Sequence, residues 1–199
     1  MAIEVYLVRH GQTVGNVTGE RLYNPELTAQ GQRQSRALAE RLAAAGCTRV
    51  IASPLIRALQ TATWVAERLA APVDVWNDLA EYNRWDPYRG AGRAALAQRF
   101  PGARLEPDMP EDGWRYPGPE AADAVLTRAC RAGERLAALP PGSRVVVVAH
   151  GNLNGVLLRH WLGASVPAAL AQDNACVNSL RLEGPGVTLA SLNDTRHLA

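Results

Sequence analysis

The chain alternates between short, largely apolar runs and longer segments whose apolar residues recur every three to four positions. The runs at 3–9, 49–52, 73–76 and 145–149 are too short for helices. Their near-continuous apolar character predicts strands buried on both faces, as in a parallel sheet. Helical periods lie between them. Thr28 is the expected N-cap of a helix over 28–45 that stops at Gly46. Leu38, Leu42 and Ala45 share one of its faces, and Arg33, Arg36 and Glu40 another. Ser53 and Pro54 predict the N-cap and first residue of a second helix, with Leu55, Leu59, Ala62, Ala66 and Leu69 as its buried stripe. Pro119 predicts the start of a third, with Glu120 and Asp123 early and Arg128, Arg131 and Arg135 late, as the helix dipole favours. A short helical turn from Gln12, a fourth helix over 153–162, and a hairpin of 177–182 with 187–192 complete the reading. Strands alternating with helices predict an α/β fold: a three-layer α/β/α sandwich around a mostly parallel central sheet.

The pattern breaks between 83 and 118, where Pro87, Pro101, Pro107, Pro110 and Pro117 interrupt it around one short helix near residues 93–100. Trp85, Tyr88, Arg89, Trp114, Arg115 and Tyr116 cluster in this stretch. It reads as a small cap or lid inserted into a single domain spanning 1–199.

Composition narrows the possibilities. A length of 199 residues suits one domain with a substantial core, and a formal charge of +2 gives no nucleic-acid footprint. No apolar run is long enough for a membrane span. The first residues enter a strand without the basic and hydrophobic regions of a signal peptide, so a cytoplasmic protein is expected. Cys47, Cys130 and Cys176 are odd in number and lack metal-ligand spacing, which predicts buried free thiols. All 21 basic residues other than histidine are arginines. That excludes a lysine nucleophile or phosphate-binding lysine and leaves side chains suited to bidentate phosphate recognition.

Two of the predicted strands run into a His-Gly pair: Arg9-His10-Gly11 and Ala149-His150-Gly151. The carboxyl ends of parallel strands are where such folds bind ligands. Arg57 falls in the first turn of its helix, where a cation opposes the dipole at a cost of roughly 0.3–1 kcal/mol. It sits there comfortably if it and the helix amides face one anion, or if water screens it. His10 taken alone fits a core histidine or a metal ligand, but no second ligand stands at metal-binding spacing.

Five elements in order then resemble the histidine phosphatase superfamily, in its phosphoglycerate-mutase-like branch. They are Leu7-Val8-Arg9-His10-Gly11-Gln12-Thr13 with Asn16, Leu27-Thr28-Ala29-Gln30-Gly31, Ser53-Pro54-Leu55-Ile56-Arg57-Ala58-Leu59-Gln60-Thr61-Ala62, Leu79-Ala80-Glu81 and Val147-Val148-Ala149-His150-Gly151. The tail Asn193-Asp194-Thr195 is similar too. Residues 18–26 and 82–87 depart from the family pattern, and both stretches shape the substrate pocket.

The resemblance implies phosphomonoester hydrolysis through a phosphohistidine on His10. Arg9, Arg57 and His150 would hold the phosphoryl oxygens, and Glu81 would be general acid and base, with Asp78 and Asp86 as rivals for that role. Gly11, Gln12, Thr13, Asn16, Gly151 and Asn152 are the implied substrate-binding residues. No metal or cofactor is expected. The expected partner is a small phosphorylated substrate, with no nucleic acid and no membrane, and a homodimer is the candidate assembly. His160 reads as a surface or packing histidine and His197 as a structural one. A phosphoglycerate mutase, or a phospho-ligand binding module without catalysis, are the alternatives. Mutases of the branch are typically longer, which favours transfer to water.

Overall fold

In a computed structural model of the chain, residues 1–20, 22–83, 88–113, 115–116, 118–163 and 170–199 are described, with the backbone alone at 88–89 and 115–116. In chain order the main elements are β1 (Ile3–Arg9), α1 (Val14–Thr18), α2 (Ala29–Ala44), β2 (Arg49–Ala52), α3 (Ile56–Leu69), β3 (Val73–Val75), β4 (Tyr88–Arg89), α4 (Arg93–Arg99) and β5 (Ala103–Leu105). They continue as β6 (Arg115–Tyr116), α5 (Ala122–Ala137), β7 (Arg144–Ala149), α6 (Gly151–Leu162), β8 (Val177–Glu183) and β9 (Gly186–Asp194).

Seven strands form one sheet in the order β5-β3-β2-β7-β1-β8-β9. The first five run parallel, while β8 pairs antiparallel with β1, and β9 antiparallel with β8. Alternation along the central strands divides the core. Val8, Val50, Ala52, Val146 and Val148 pack with α2 and α3 on one face. Val5, Leu7, Ile51, Val145, Val147 and Ala149 pack with α5 and α6 on the other. Period-two side-chain placement therefore gives the continuous apolar runs their two buried faces, and the α/β sandwich is as expected.

Several local expectations are corrected. Ser53 does not cap α3: Leu55 is the N-cap and the helix begins at Ile56. The Ser53 hydroxyl oxygen instead accepts from the Leu55 amide and meets His150, while Asn24 Oδ1 accepts from the Ile56 amide at 2.9 Å. Helix α5 starts at Ala122 rather than at Pro119. Glu120 is drawn away from it, its amide donating to the Asn83 carbonyl at 2.7 Å and its carboxylate gripping Arg128.

Residues 103–105, read from the sequence as part of the insertion, form the edge strand β5 beside β3. Only β4 and β6 stand apart, as a two-stranded ribbon with Tyr88 opposite Tyr116 and Arg89 opposite Arg115. Trp85, Asp86 and Trp114 lie outside the described residues, as do the side chains of Tyr88, Arg89, Arg115 and Tyr116. Cys47 and Cys176 are buried as expected, and burial pushes their thiols up to about 12 and about 11. Cys130 is only half-buried, with its sulfur 3.3 Å from His160 Nδ1. Among the described residues no helix is long and apolar enough to cross a membrane.

Candidate active site

The register of the central strands assembles the site. β1 and β7 are parallel neighbours, with Arg9 opposite Ala149. The next residue of each strand is a histidine, so two positions 140 residues apart emerge side by side, with ring centroids 5.2 Å apart. β2 flanks β7 with Ala52 opposite Val148, which delivers Ser53 to the same edge. Three strand ends thus converge where a parallel sheet exposes its carboxyl edge.

His10 is held in one tautomer. Its Nδ1 lies 2.8 Å from the carbonyl oxygen of Gly11, an acceptor that requires Nδ1 to carry the proton. Nε2 therefore keeps its lone pair, and it accepts from Arg57 Nε at 3.1 Å. Arg57 is buried, which removes the screened, solvated alternative. Burial, then the Arg57 guanidinium and after it Arg9, hold the imidazole well below its ordinary pKa, only partly countered by the Gly11 carbonyl. His10 is a neutral base with its lone pair aimed into a cationic pocket.

His150 is wired in the opposite sense. Its Nε2 stands 2.7 Å from Ser53 Oγ. Because that oxygen already accepts from the Leu55 amide at 3.2 Å, its hydrogen is free to point at Nε2. With the Ser53 hydroxyl donating to Nε2, the proton of His150 sits on Nδ1. Among the described residues this buried Nδ1 and Arg9 Nε meet no hydrogen-bond acceptor. Burial first, then Arg57, His10, Arg128 and Arg9, keep His150 well below its ordinary pKa. Uncommitted buried donors are costly unless an anion satisfies them. The chemistry of this donor set is that of an oxyanion cradle.

Arg9 reaches sideways, donating through Nη1 to the Gln172 carbonyl while its Nε lies over the first turn of α6. Glu81 arrives from the loop after β3 and settles on that same turn: Oε1 accepts from the Leu153 amide at 3.1 Å, and Asn152 Nδ2 approaches Oε2 at 3.4 Å. The carboxylate satisfies an otherwise open amide at the helix start and is favoured by the dipole. Asp78, its expected rival, is turned away into ion pairs with Arg131 at 2.6 Å and Arg135 at 3.9 Å.

Several implied substrate donors are engaged elsewhere. The Gly11 amide donates to Thr61 Oγ1 at 3.0 Å and the Gln12 amide to Gln34 Oε1 at 2.8 Å. Gln12 Oε1 accepts from the Thr28 hydroxyl. The Thr13 amide and hydroxyl both donate to Asn16 Oδ1, forming the cap of α1. Asn16 Oδ1 also receives Asn174 Nδ2. These residues brace the histidine loop. Gly11 does so by absence of a side chain: a Cβ there would lie 2.6 Å from the Gly31 carbonyl oxygen, where α2 begins. Gly151 and Asn152 open α6 beside Arg9 and Glu81.

Sequence reasoning missed Ser53 as the partner of His150, Thr61, Asn174, and above all Arg128. The sequence reads that arginine, with Arg131 and Arg135, as a late cation that the helix dipole favours. It is buried and clamps the loop that carries Glu81, donating to the carbonyls of Asp78, Ala80 and Glu81 at 2.8, 2.5 and 3.2 Å and pairing with Glu120. The signal was present: Arg128 shares the stripe of Val125, Ala129 and Ala132. A charge on an apolar face points to a buried partner.

Residues 5–195 fit the model of the histidine phosphatase superfamily (branch 1), and the chain belongs to that family. A probable phosphoglycerate mutase GpmB from Proteus mirabilis is 34% identical over 163 residues, covering 81% of this chain and 75% of that protein. The bifunctional protein Rv2228c of Mycobacterium tuberculosis is 34% identical over 202 residues, and the chain spans 54% of its length. Among solved structures, the mycobacterial glucosyl-3-phosphoglycerate phosphatase Rv2419c in complex with VO3 superposes with a TM-score of 0.72 at 28% identity, over 96% of this chain and 99% of that one.

Proposed function

We propose that this protein is a phosphomonoesterase that hydrolyses small phosphorylated metabolites through a phosphohistidine on His10. The observation that carries the reading is the opposed wiring of the two histidines, one offering a lone pair and the other a proton. The Nε2 lone pair of His10 attacks phosphorus in line with the ester oxygen, and the P–O bond breaks as the N–P bond forms. The Arg57 N–H that Nε2 accepted from passes to a phosphoryl oxygen. Arg9 Nε–H and His150 Nδ1–H take the others, stabilising charge where it spreads. Glu81, as the carboxylic acid, donates its proton to the departing alkoxide. Water then attacks phosphorus, Glu81 takes its proton back from that water, and the N–P bond breaks to release phosphate and neutral His10. A structural neighbour named as a phosphatase, solved both in its native form and with VO3, supports this reading.

The GpmB-named relatives favour a second reading, in which the phosphoryl group returns to a sugar acid instead of water. An acid-labile radiolabel on His10 after a rapid quench, followed by release of inorganic phosphate, is expected for the phosphatase. Interconversion of 2- and 3-phosphoglycerate faster than phosphate release would make it a mutase. Binding without label or turnover would make it a docking module. Single-turnover rates of Glu81→Gln should fall about 10²–10⁴-fold on an alkyl phosphate and far less on a nitrophenyl phosphate, whose leaving group needs no proton.

A further inference from the structure

The guanidinium of Arg128 offers five N–H donors in one rigid plane, and five acceptors meet them. Nη1 donates to the Asp78 and Ala80 carbonyls, Nη2 to the Glu81 carbonyl and Glu120 Oε2, and Nε to Glu120 Oε1. Three of those acceptors are backbone carbonyls of one short stretch that ends on Glu81. Buried carbonyls need partners, and a loop can find them in many ways. Here all three are gathered by a single side chain on α5, a helix packed against α6.

The stretch is pinned beyond Glu81 as well. Asn83 Nδ2 donates to the Gly118 carbonyl at 2.9 Å, and the Glu120 amide donates back to the Asn83 carbonyl at 2.7 Å. Glu120 thereby joins the residues that follow Glu81 to Arg128, where the two ends of the insertion meet. Between these anchors the Glu81 carboxylate is held by two amides, its Oε1 accepting from Tyr82 at 2.8 Å and from Leu153 at 3.1 Å. The cation that does the gripping is itself matched. An unneutralised cation beside a carboxyl favours the ionised form, which cannot donate a proton. The Glu120 carboxylate, 2.7 Å from Arg128 Nε, supplies the opposite charge.

We propose that Arg128, paired with Glu120, is the positioning residue of the general acid: it fixes where the Glu81 carboxyl stands relative to the ester oxygen, without itself touching substrate. Glu81 is used twice, giving a proton to the leaving oxygen and taking one from water, so its placement enters both steps. A misplacement of about 1 Å in such a group costs on the order of 10²-fold in rate. The inference rests on the reading of Glu81 as acid and base.

Single-turnover phosphorylation rates with an alkyl phosphate and a nitrophenyl phosphate test it. Arg128→Lys keeps the charge but cannot span three carbonyls and a carboxylate. It is expected to slow the alkyl ester about 10–10²-fold and the nitrophenyl ester about threefold at most. In the Glu81→Gln background the same substitution should change the alkyl rate no more than about threefold, because the acid it positions is gone. Should Arg128→Lys fail to fold, Arg128→Leu combined with Glu120→Leu removes both charges, a replacement that buried ion pairs often tolerate, and should show the same loss confined to the alkyl ester. A structural role alone predicts a lowered thermal melt with equal losses on the two esters. That result, or losses that multiply in the Glu81→Gln background, would overturn the proposal. If Glu81→Gln itself shows no leaving-group dependence, the acid assignment falls and the proposal falls with it. A dependence present in Glu81→Gln and absent from both Arg128 variants removes the positioning role alone.

Discussion

The two strand–His-Gly units look like copies in the sequence and behave as opposites in the fold. After β1 the chain makes a tight loop in which Nδ1 of His10 is satisfied by the next residue's carbonyl, so Nε2 presents a lone pair. After β7 the chain enters α6 at once, and Ser53 from a third strand occupies Nε2 of His150, which leaves Nδ1 as the donor. The glycines differ as well. Gly11 is pressed against the Gly31 carbonyl, whereas a Cβ on Gly151 would meet nothing nearer than Arg9 Nε at 3.6 Å. One motif thus presents a lone pair in one unit and an N–H in the other because each ring's second nitrogen is claimed by a different neighbour.

The sharpest way to break this comparison is to remove the two rings separately. His10→Ala should lower single-turnover phosphoryl transfer by at least about 10⁴-fold and abolish the acid-labile label. His150→Ala should lose about 10²–10³-fold, the scale of one oxyanion donor, and still label His10. Equal losses with no label in either variant would mean that the roles are not divided as described.

Acid should test both rings together. Each is buried neutral with its folded pKa depressed below the unfolded value near 6.5, so below that pH the unfolded chain binds protons that the folded one refuses. Stability is therefore full above about pH 6.5 and is lost as pH falls from there. The slope approaches about 1.4 kcal/mol per pH unit for each ring. His197, lowered to about 4 mainly by burial, adds a third contribution, so urea unfolding of the wild type and His150→Ala between pH 7 and 5 should show the slope reduced by about a third in the variant.

The glycines come next. Gly11→Ala forces a methyl group onto a backbone carbonyl and should cost about 1–3 kcal/mol in urea unfolding. Gly151→Ala, at the start of a helix with ordinary contacts, should stay within about 0.5 kcal/mol of wild type. On turnover, Ser53→Ala should act more weakly than removal of either ring. It frees His150 Nε2 and lets the proton leave Nδ1, so kcat should fall about tenfold, a little over 1 kcal/mol, with KM moving less. A fall confined to stability would make Ser53 a packing residue only.

Much of this molecule was legible before folding was considered. The apolar runs marked β1, β2, β3 and β7, and Thr28 marked the start of α2, where its side chain accepts from the Gly31 amide. The illegible parts share a cause. Ser53-Pro54 reads as a helix start, but a long-range partner took the serine. Pro119 and Glu120 read as another, but Arg128 took the glutamate. Residues 103–105 carry no strand pattern of their own and pair because β3 offers an open edge. Local propensity is worth tenths of a kcal/mol per residue, and one buried charged hydrogen bond outweighs several such preferences.

The sequence by itself therefore determined the α/β class, the two strand-end histidines and the arginines available to an anion, because periodicity and residue chemistry are local properties. Which nitrogen of each histidine carries its proton, which amides remain for a ligand, and which carboxylate, Glu81 or Asp78, meets the first turn of α6 were decided only by tertiary structure. Those outcomes depend on the register of β1, β7 and β2 and, apart from the Gly11 carbonyl beside His10, on partners 47 to 164 residues away in the chain. No local pattern encodes such distances.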